Sequence, residues 1–224
     1  NKYGYRYGKW LTASLYAKCE FVGVSKGDSS CKVEYAYDLP NLQDEKVHLV
    51  YEVYGDGKII VDMSYQPGVS EIEMPVFGLI FQLYKDMEEV NYYGYGPEEN
   101  YIDRNKGALL GKYAYQVTDN LTPYLYPQEC GNRTHVRKLS IIGENKKLEV
   151  AGKDFEFTAL HYTPYELENA RHKDELPNIY QTVLCINEKQ MGIAGDDTWG
   201  AKTHDEFLLD KEKHHLRFSF KGKL

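Results

Sequence analysis

Long apolar runs are missing from this chain of 224 residues. No stretch reaches the roughly 18 residues that a membrane-crossing helix needs, so no membrane partner is expected. Cysteine is sparse. Cys19, Cys31, Cys130 and Cys185 are too few for a disulfide scaffold and form no CxxC-type zinc pattern. Basic charge is outnumbered, 27 Lys and Arg against 34 Asp and Glu, for a net charge of −7. The densest basic cluster holds only Arg133, Arg137 and Lys138, which is no stripe for a nucleic acid. No GxSxG, P-loop or strand-following GxGxxG occurs. The histidines at 48, 135, 161, 172, 204, 214 and 215 show no HExxH-like ligand spacing, so no metal site is expected in this chain. Methionine is found only at 63, 74, 87 and 191, residue 1 is Asn, and no signal-peptide pattern opens the sequence. A piece of a longer polypeptide is the simplest expectation, and the compartment is not legible.

What is present is aromatic. The 21 Tyr, 8 Phe and 2 Trp make 14% of the chain, which excludes a disordered segment. Most of the sequence reads as strand. Val47, Leu49, Tyr51 and Val53 alternate with their neighbours, Asp56-Gly57 follows, and Ile59, Val61, Met63 and Tyr65 alternate again. That is a hairpin, with Asp-Gly expected in a tight primed turn. Further strands are predicted at 10–24, 31–38, 76–84, 111–118, 154–162, 180–187, 205–210 and 214–220. One short helix is predicted, opened by Thr163-Pro164-Tyr165-Glu166 with its capping Thr, first-turn Pro and Glu three residues after the cap. So many strands without linkers or repeats predict one all-β domain over residues 1–224, with two antiparallel sheets packed face to face.

Three stretches break the strand pattern: Tyr93 to Arg104, Tyr124 to Thr134, and Met191 to Trp199. All are rich in Gly, Pro, Asn and Asp yet carry aromatics and charges, and rigid loops on a β scaffold are where binding groups sit. Each also has a purely structural reading. Arg104 can pair with Glu99 or Asp103, Glu129 with Arg133 four residues on, and Asp196-Asp197 can bond loop amides. Trp199, flanked by small residues, is either a core plug or an exposed stacking surface. Glu88-Glu89, Glu98-Glu99 and Asp196-Asp197 are adjacent in sequence and so do not read as a glycosidase acid/nucleophile pair. Two Asn-X-Thr triplets begin at Asn120 and Asn132.

The order and spacing of these stretches is similar to the C-terminal domain, or small chain, of glycoside hydrolase family 2 β-galactosidases. The matching runs are GxGPxENYxDR at Gly94 to Arg104, PYxxPQExGxRTxVR at Pro123 to Arg137, and MGxxGDDxW at Met191 to Trp199. Cys130, His135 and Lys138 depart from the residues common there. The resemblance implies an antiparallel β-supersandwich of the galactose-mutarotase-like kind. It implies a component of an enzyme that hydrolyses terminal β-D-galactosyl bonds, lactose included, with retention. It implies no catalytic residue in this chain, with the two catalytic Glu, magnesium and sodium held by the remaining domains or a large subunit. It implies a substrate-binding role for Trp199, as an apolar platform for the sugar. Two alternatives stay open at this point. One is an aldose 1-epimerase-like enzyme using Glu129 and His161, and the other is a stand-alone carbohydrate-binding module using Trp199.

Overall fold

A computed structural model describes residues 2–40, 42, 45–68, 73–197, 199–209 and 213–223, except the side chains of residues 2–6. Eleven strands dominate: β1 (Lys18–Lys26), β2 (Ser30–Asp38), β3 (Lys46–Tyr54), β4 (Lys58–Tyr65), β5 (Val76–Tyr84), β6 (Glu89–Gly96), β7 (Leu109–Gln116), β8 (Arg133–Ile142), β9 (Lys147–Leu160), β10 (Gln181–Gln190) and β11 (His214–Lys223). Two α-helices accompany them, α1 (Lys2–Leu15) and α2 (Pro164–Asn169), where one was expected. The chain divides into two compact units, Asn1–Phe77 with Glu188–Lys221, and Gly78–Asn187 with Gly222–Leu224.

In the first unit β1, β2, β3, β4 and β11 form an antiparallel sheet in that order. Register places Phe21 opposite Tyr35, Tyr35 opposite Leu49, Leu49 opposite Met63, and Met63 opposite Leu216. Alternation then sets a mostly apolar face against a mostly polar one. The apolar face carries Val33, Tyr35, Leu49, Tyr51, Val61, Met63, Leu216 and Phe218. The polar face carries Lys32, Glu34, Glu52, Asp62, His215 and Arg217. On the polar face Asp62 accepts from His215 (2.8 Å) and from Arg217. Leu49, Val61, Met63, Leu216 and Phe218 are almost fully buried.

The hairpin between β3 and β4 forms as expected, but its turn differs. The Gly57 N–H donates to Tyr54 C=O (3.0 Å), and only Gly57 has a positive φ, +84°. This is a three-residue Gly55-Asp56-Gly57 loop, a type I turn closed by a left-handed Gly, rather than a two-residue primed turn. Asp56 Oδ1 accepts from the Lys58 N–H (3.0 Å), which favours that longer loop.

Helix α1 replaces the first part of the strand expected at 10–24. Tyr and Trp favour strands in isolation, but here Ala13 is buried and the Trp10 ring stands edge-on to Tyr65 at 6.4 Å. Tertiary packing thus overrides local preference. The strand expected at 205–210 is also absent. Asp205–Phe207 is a 3-10 turn, and Asp210 lies outside the described residues.

The second unit contains most of β5 and of β10 together with β9, β8, β6 and β7, and the strands are neighbours in the order β5, β10, β9, β8, β6, β7. Here β9 pairs antiparallel with β10 and β8, and β6 with β8 and β7. Val90, Ile141, Phe155, Phe157, Leu184 and Ile186 form its sealed interior. Strand β6 runs through Tyr93 to Gly96, a stretch expected to be loop. Its glycines serve close packing. A Cβ on Gly94 would lie 3.0 Å from the Val136 Cα, and one on Gly96 would lie 2.2 Å from the Tyr92 hydroxyl. Strand β8 likewise takes in the end of the second Gly- and Asn-rich stretch.

Candidate functional site

The first two motif stretches, both in the second unit, interlock. Glu99 is their centre. Its carboxylate accepts from Arg104 Nη2 (2.5 Å), the Gly131 N–H (2.6 Å), Tyr124 OH (2.7 Å) and Thr122 Oγ1 (2.9 Å). Partial burial works to raise its pKa, and these donors outweigh that, so the carboxyl titrates below its ordinary range. A carboxylate with four donors already on it is a structural anchor, not a free acid or base.

Asn100 and Asn132 complete the clasp. Asn100 Nδ2 donates to Tyr95 C=O (3.1 Å) and Glu98 C=O (2.9 Å), while its Oδ1 accepts from the Thr134 N–H (3.0 Å) and Oγ1 (2.6 Å). Asn132 Nδ2 donates to Asn100 C=O (3.1 Å) and Glu156 Oε2 (3.0 Å). Asn120 Nδ2 bonds Gly131 C=O (3.1 Å) and Ala159 C=O (3.0 Å), and Gly131 needs its φ of +80° for this approach. All three asparagines are buried. The pairing of Arg104 with Glu99 follows the sequence expectation. Tyr101 OH donates to Glu129 (3.2 Å). Arg133 turns inward, donating to Tyr92 OH and to the Gly131 and Asn132 carbonyls, each at 3.1 Å. Its guanidinium lies 5.1 Å from the centre of the Tyr115 ring. Burying Arg among carbonyls and aromatic faces spreads its charge without a carboxylate in this set.

His161 is buried, and its surroundings differ from an epimerase pair with Glu129. Nδ1 lies 2.9 Å from Gln181 C=O, so it carries a proton. Nε2 lies 2.7 Å from Glu88 Oε1 and 3.1 Å from Thr118 Oγ1. The groups placed against His161 include Glu88, Thr118, Gln181 and Thr182. The adjacent carboxylates have separate duties. Glu88 meets His161, while Glu89 accepts from Asn91 Nδ2 (2.7 Å). Among the described residues no three His, Cys, Asp or Glu side chains converge to hold a metal ion.

The third stretch, in the first unit, is built to present one ring. Met191 N–H donates to Pro75 C=O (2.9 Å) and Gly192 N–H to Phe207 C=O (2.8 Å), which pins the loop's near end. Thr203 Oγ1 bonds Gly192 C=O (3.1 Å), and Asp196 Oδ1 meets His204 Nε2 at 2.8 Å. That contact raises the His204 pKa. Asp197 Oδ1 accepts from the backbone N–H of Trp199 (2.7 Å) and of Ala201 (3.2 Å), an Asx-type turn. Gly195 lets the two sides of the loop close, since a Cβ there would lie 2.3 Å from Ala201 C=O. Gly200, at φ +103°, supplies the left-handed step after the indole. Trp199 at the apex is 94% exposed, the highest value among the described large hydrophobic residues. An indole alone in water on a braced loop has a flat apolar face available for contact.

Sequence reasoning singled out Trp199 and the three stretches. It did not foresee that Glu99, Asn100, Asn120 and Asn132 form one buried clasp. The signal was the density of Asn and Glu in two segments about 30 residues apart, which short-range patterns do not connect.

The sequence matches the family model described as beta galactosidase small chain over residues 1–221. A beta-galactosidase of Streptococcus thermophilus is 38% identical over 220 residues, covering 96% of this chain and 21% of that protein. One from Halalkalibacterium halodurans is 40% identical over 222 residues, covering 96% and 22%. One from Lactobacillus delbrueckii subsp. bulgaricus is 40% identical over 214 residues, covering 94% and 21%. The chain spans about a fifth of the length of these relatives. Among solved structures, a GalM/aldose epimerase homologue from C. elegans aligns with a TM-score of 0.46 at 12% identity, covering 93% of this chain and 69% of that one.

Proposed function

The chain belongs to the β-galactosidase small-chain family, and from that premise we propose that residues 1–224 are the C-terminal component of a glycoside hydrolase family 2 β-galactosidase, lending Trp199 to the galactoside pocket. The observation that carries the reading is the indole held out on a loop cross-braced by Asp197, Gly195 and Gly200. A pyranose has hydroxyls around its rim and C–H groups on its faces. A flat indole covers one C–H face, removes it from water and leaves the hydroxyls to polar partners. Such a wall orients the sugar without moving a proton, so it serves binding and alignment.

In this reading the hydrolysis of terminal β-D-galactosyl bonds, with retention through a glycosyl-enzyme intermediate, uses two carboxylates from the remainder of the polypeptide. Glu99 is occupied by four donors, Asp197 by two backbone amides, and Glu88 by His161 and Thr118. Magnesium and sodium, where the enzyme uses them, belong to that remainder as well. The isolated chain is therefore inactive.

Trp199→Ala in the complete enzyme tests the assignment. It should raise KM for lactose by about tenfold or more, the equivalent of roughly 1.4 kcal/mol of lost binding, with a smaller effect for Trp199→Phe. An unchanged KM removes Trp199 from the pocket. Turnover of a chromogenic β-galactoside by residues 1–224 alone would move the chemistry into this chain. Tight galactose binding by that fragment without turnover would favour a carbohydrate-binding module.

A further inference from the structure

We infer that the apolar face at the β1–β3 end of the first sheet is a docking surface, covered in the intact protein by the remainder of the β-galactosidase polypeptide. This rests on the reading of the chain as one component of that larger protein, and it names a surface separate from the Trp199 loop.

The apolar face runs without a break from β11 to β1, but its burial does not. Leu216 and Val61 are sealed. Tyr51 and Tyr35 are half-buried, with rings meeting edge-on at 6.3 Å. Phe21 continues the ladder, 5.9 Å from Tyr35, and is 58% exposed. Val24 beside it is 52% exposed. The residues stay apolar in register while their cover fades, whereas the opposite face is mostly polar along the same strands. A face designed for water would carry the second kind of side chain throughout. An apolar strand left open at a sheet edge is an aggregation hazard, so a covering partner is expected.

The edge of β1 favours contact through its face over lateral strand addition. The β1–β2 register shifts between Phe21 and Gly23, a bulge that bends the outer edge at Val22. The occupant follows from length. About four fifths of each relative lies beyond the part this chain matches, which leaves ample protein to pack there.

Native Cys19 sits on this face, opposite Tyr37, and Glu34 sits on the reverse face. The test is maleimide alkylation of the complete, folded enzyme, with sites identified by peptide mass spectrometry. Cys19 should react at least tenfold more slowly than a control thiol introduced by Glu34→Cys. Phe21→Asp, at an exposed position, should restore Cys19 reactivity. Equal rates at Cys19 and the control overturn the inference. Protection that disappears on dilution together with dimers in sedimentation also overturns it, because a second copy is then the cover. β-Galactosidase activity of the same samples separates the two readings. An active enzyme with an open Cys19 loses only the docking surface, whereas a folded enzyme without activity loses the functional reading.

Discussion

The carboxylate of Asp197 bonds the backbone N–H of Trp199 at 2.7 Å, two residues downstream, and so fixes the main chain from which the indole projects. The relationship is local and polar, and it leaves the ring itself untouched. Orientation of the ring and exposure of the ring are thereby set by different residues.

Asp197→Ala should consequently reproduce part of the Trp199→Ala effect. Two loop N–H groups lose their acceptor, the apex gains freedom, and KM for lactose should rise severalfold with little change in kcat. Asp197→Asn retains an acceptor oxygen and should fall between the two. Because the loop is exposed, thermal stability should shift by no more than about 0.5 kcal/mol. Steady-state kinetics on the three proteins checks the order.

Glu99 should control acid stability. Its folded pKa lies below its ordinary value, so the carboxylate contributes stability that is complete above the unfolded pKa of about 4.3. That contribution is lost as pH falls through the lower, folded value. Glu99→Gln should cost about 1–3 kcal/mol near neutral pH and flatten the fall of stability below about pH 5. Denaturant titrations across pH 3–7 report both.

Tyr115→Phe should be neutral or stabilising by up to about 1 kcal/mol. The Tyr115 hydroxyl is buried without a hydrogen-bond partner among the described residues, while its ring faces the Arg133 guanidinium. Deleting the oxygen removes an uncompensated desolvation cost and keeps the aromatic face. A loss above about 1 kcal/mol in urea unfolding would show that the hydroxyl has a partner.

Gly131→Ala should destabilise by about 2 kcal/mol or more. A φ of +80° disfavours any Cβ, and this one would lie 2.5 Å from Asn120 Nδ2. The effect should be less than additive with Glu99→Gln, since both loosen the same clasp. A double-mutant cycle measures the shortfall.

The legible parts of the fold are those written over a few neighbouring residues. The alternation through Val47–Tyr65 gave its hairpin. At α2 the capping box is present, with the Glu166 N–H on Thr163 Oγ1 (3.1 Å) and the Thr163 N–H on Glu166 Oε2 (2.7 Å). What was not legible depends on distant partners. Helix α1 needs the ring of Tyr65, 55 positions beyond Trp10, before its aromatic sequence stops favouring a strand. Gly94 reads as a turn until Val136 stands against it. Trp199 could be recognised as unusual, but whether its ring was buried or exposed depended on the three-dimensional bracing of its loop.

The sheet of the first unit closes only when β11 pairs with β4, joining Asp62 to Arg217 across 155 positions of sequence. On a ribosome, β4 must therefore wait through the synthesis of Gly78–Asn187, nearly all of the second unit, with one flank unsatisfied. Such a long loop closure makes this step a slow one in folding. The interval before it is when chaperone capture, or misassembly between nascent chains, competes with the native outcome.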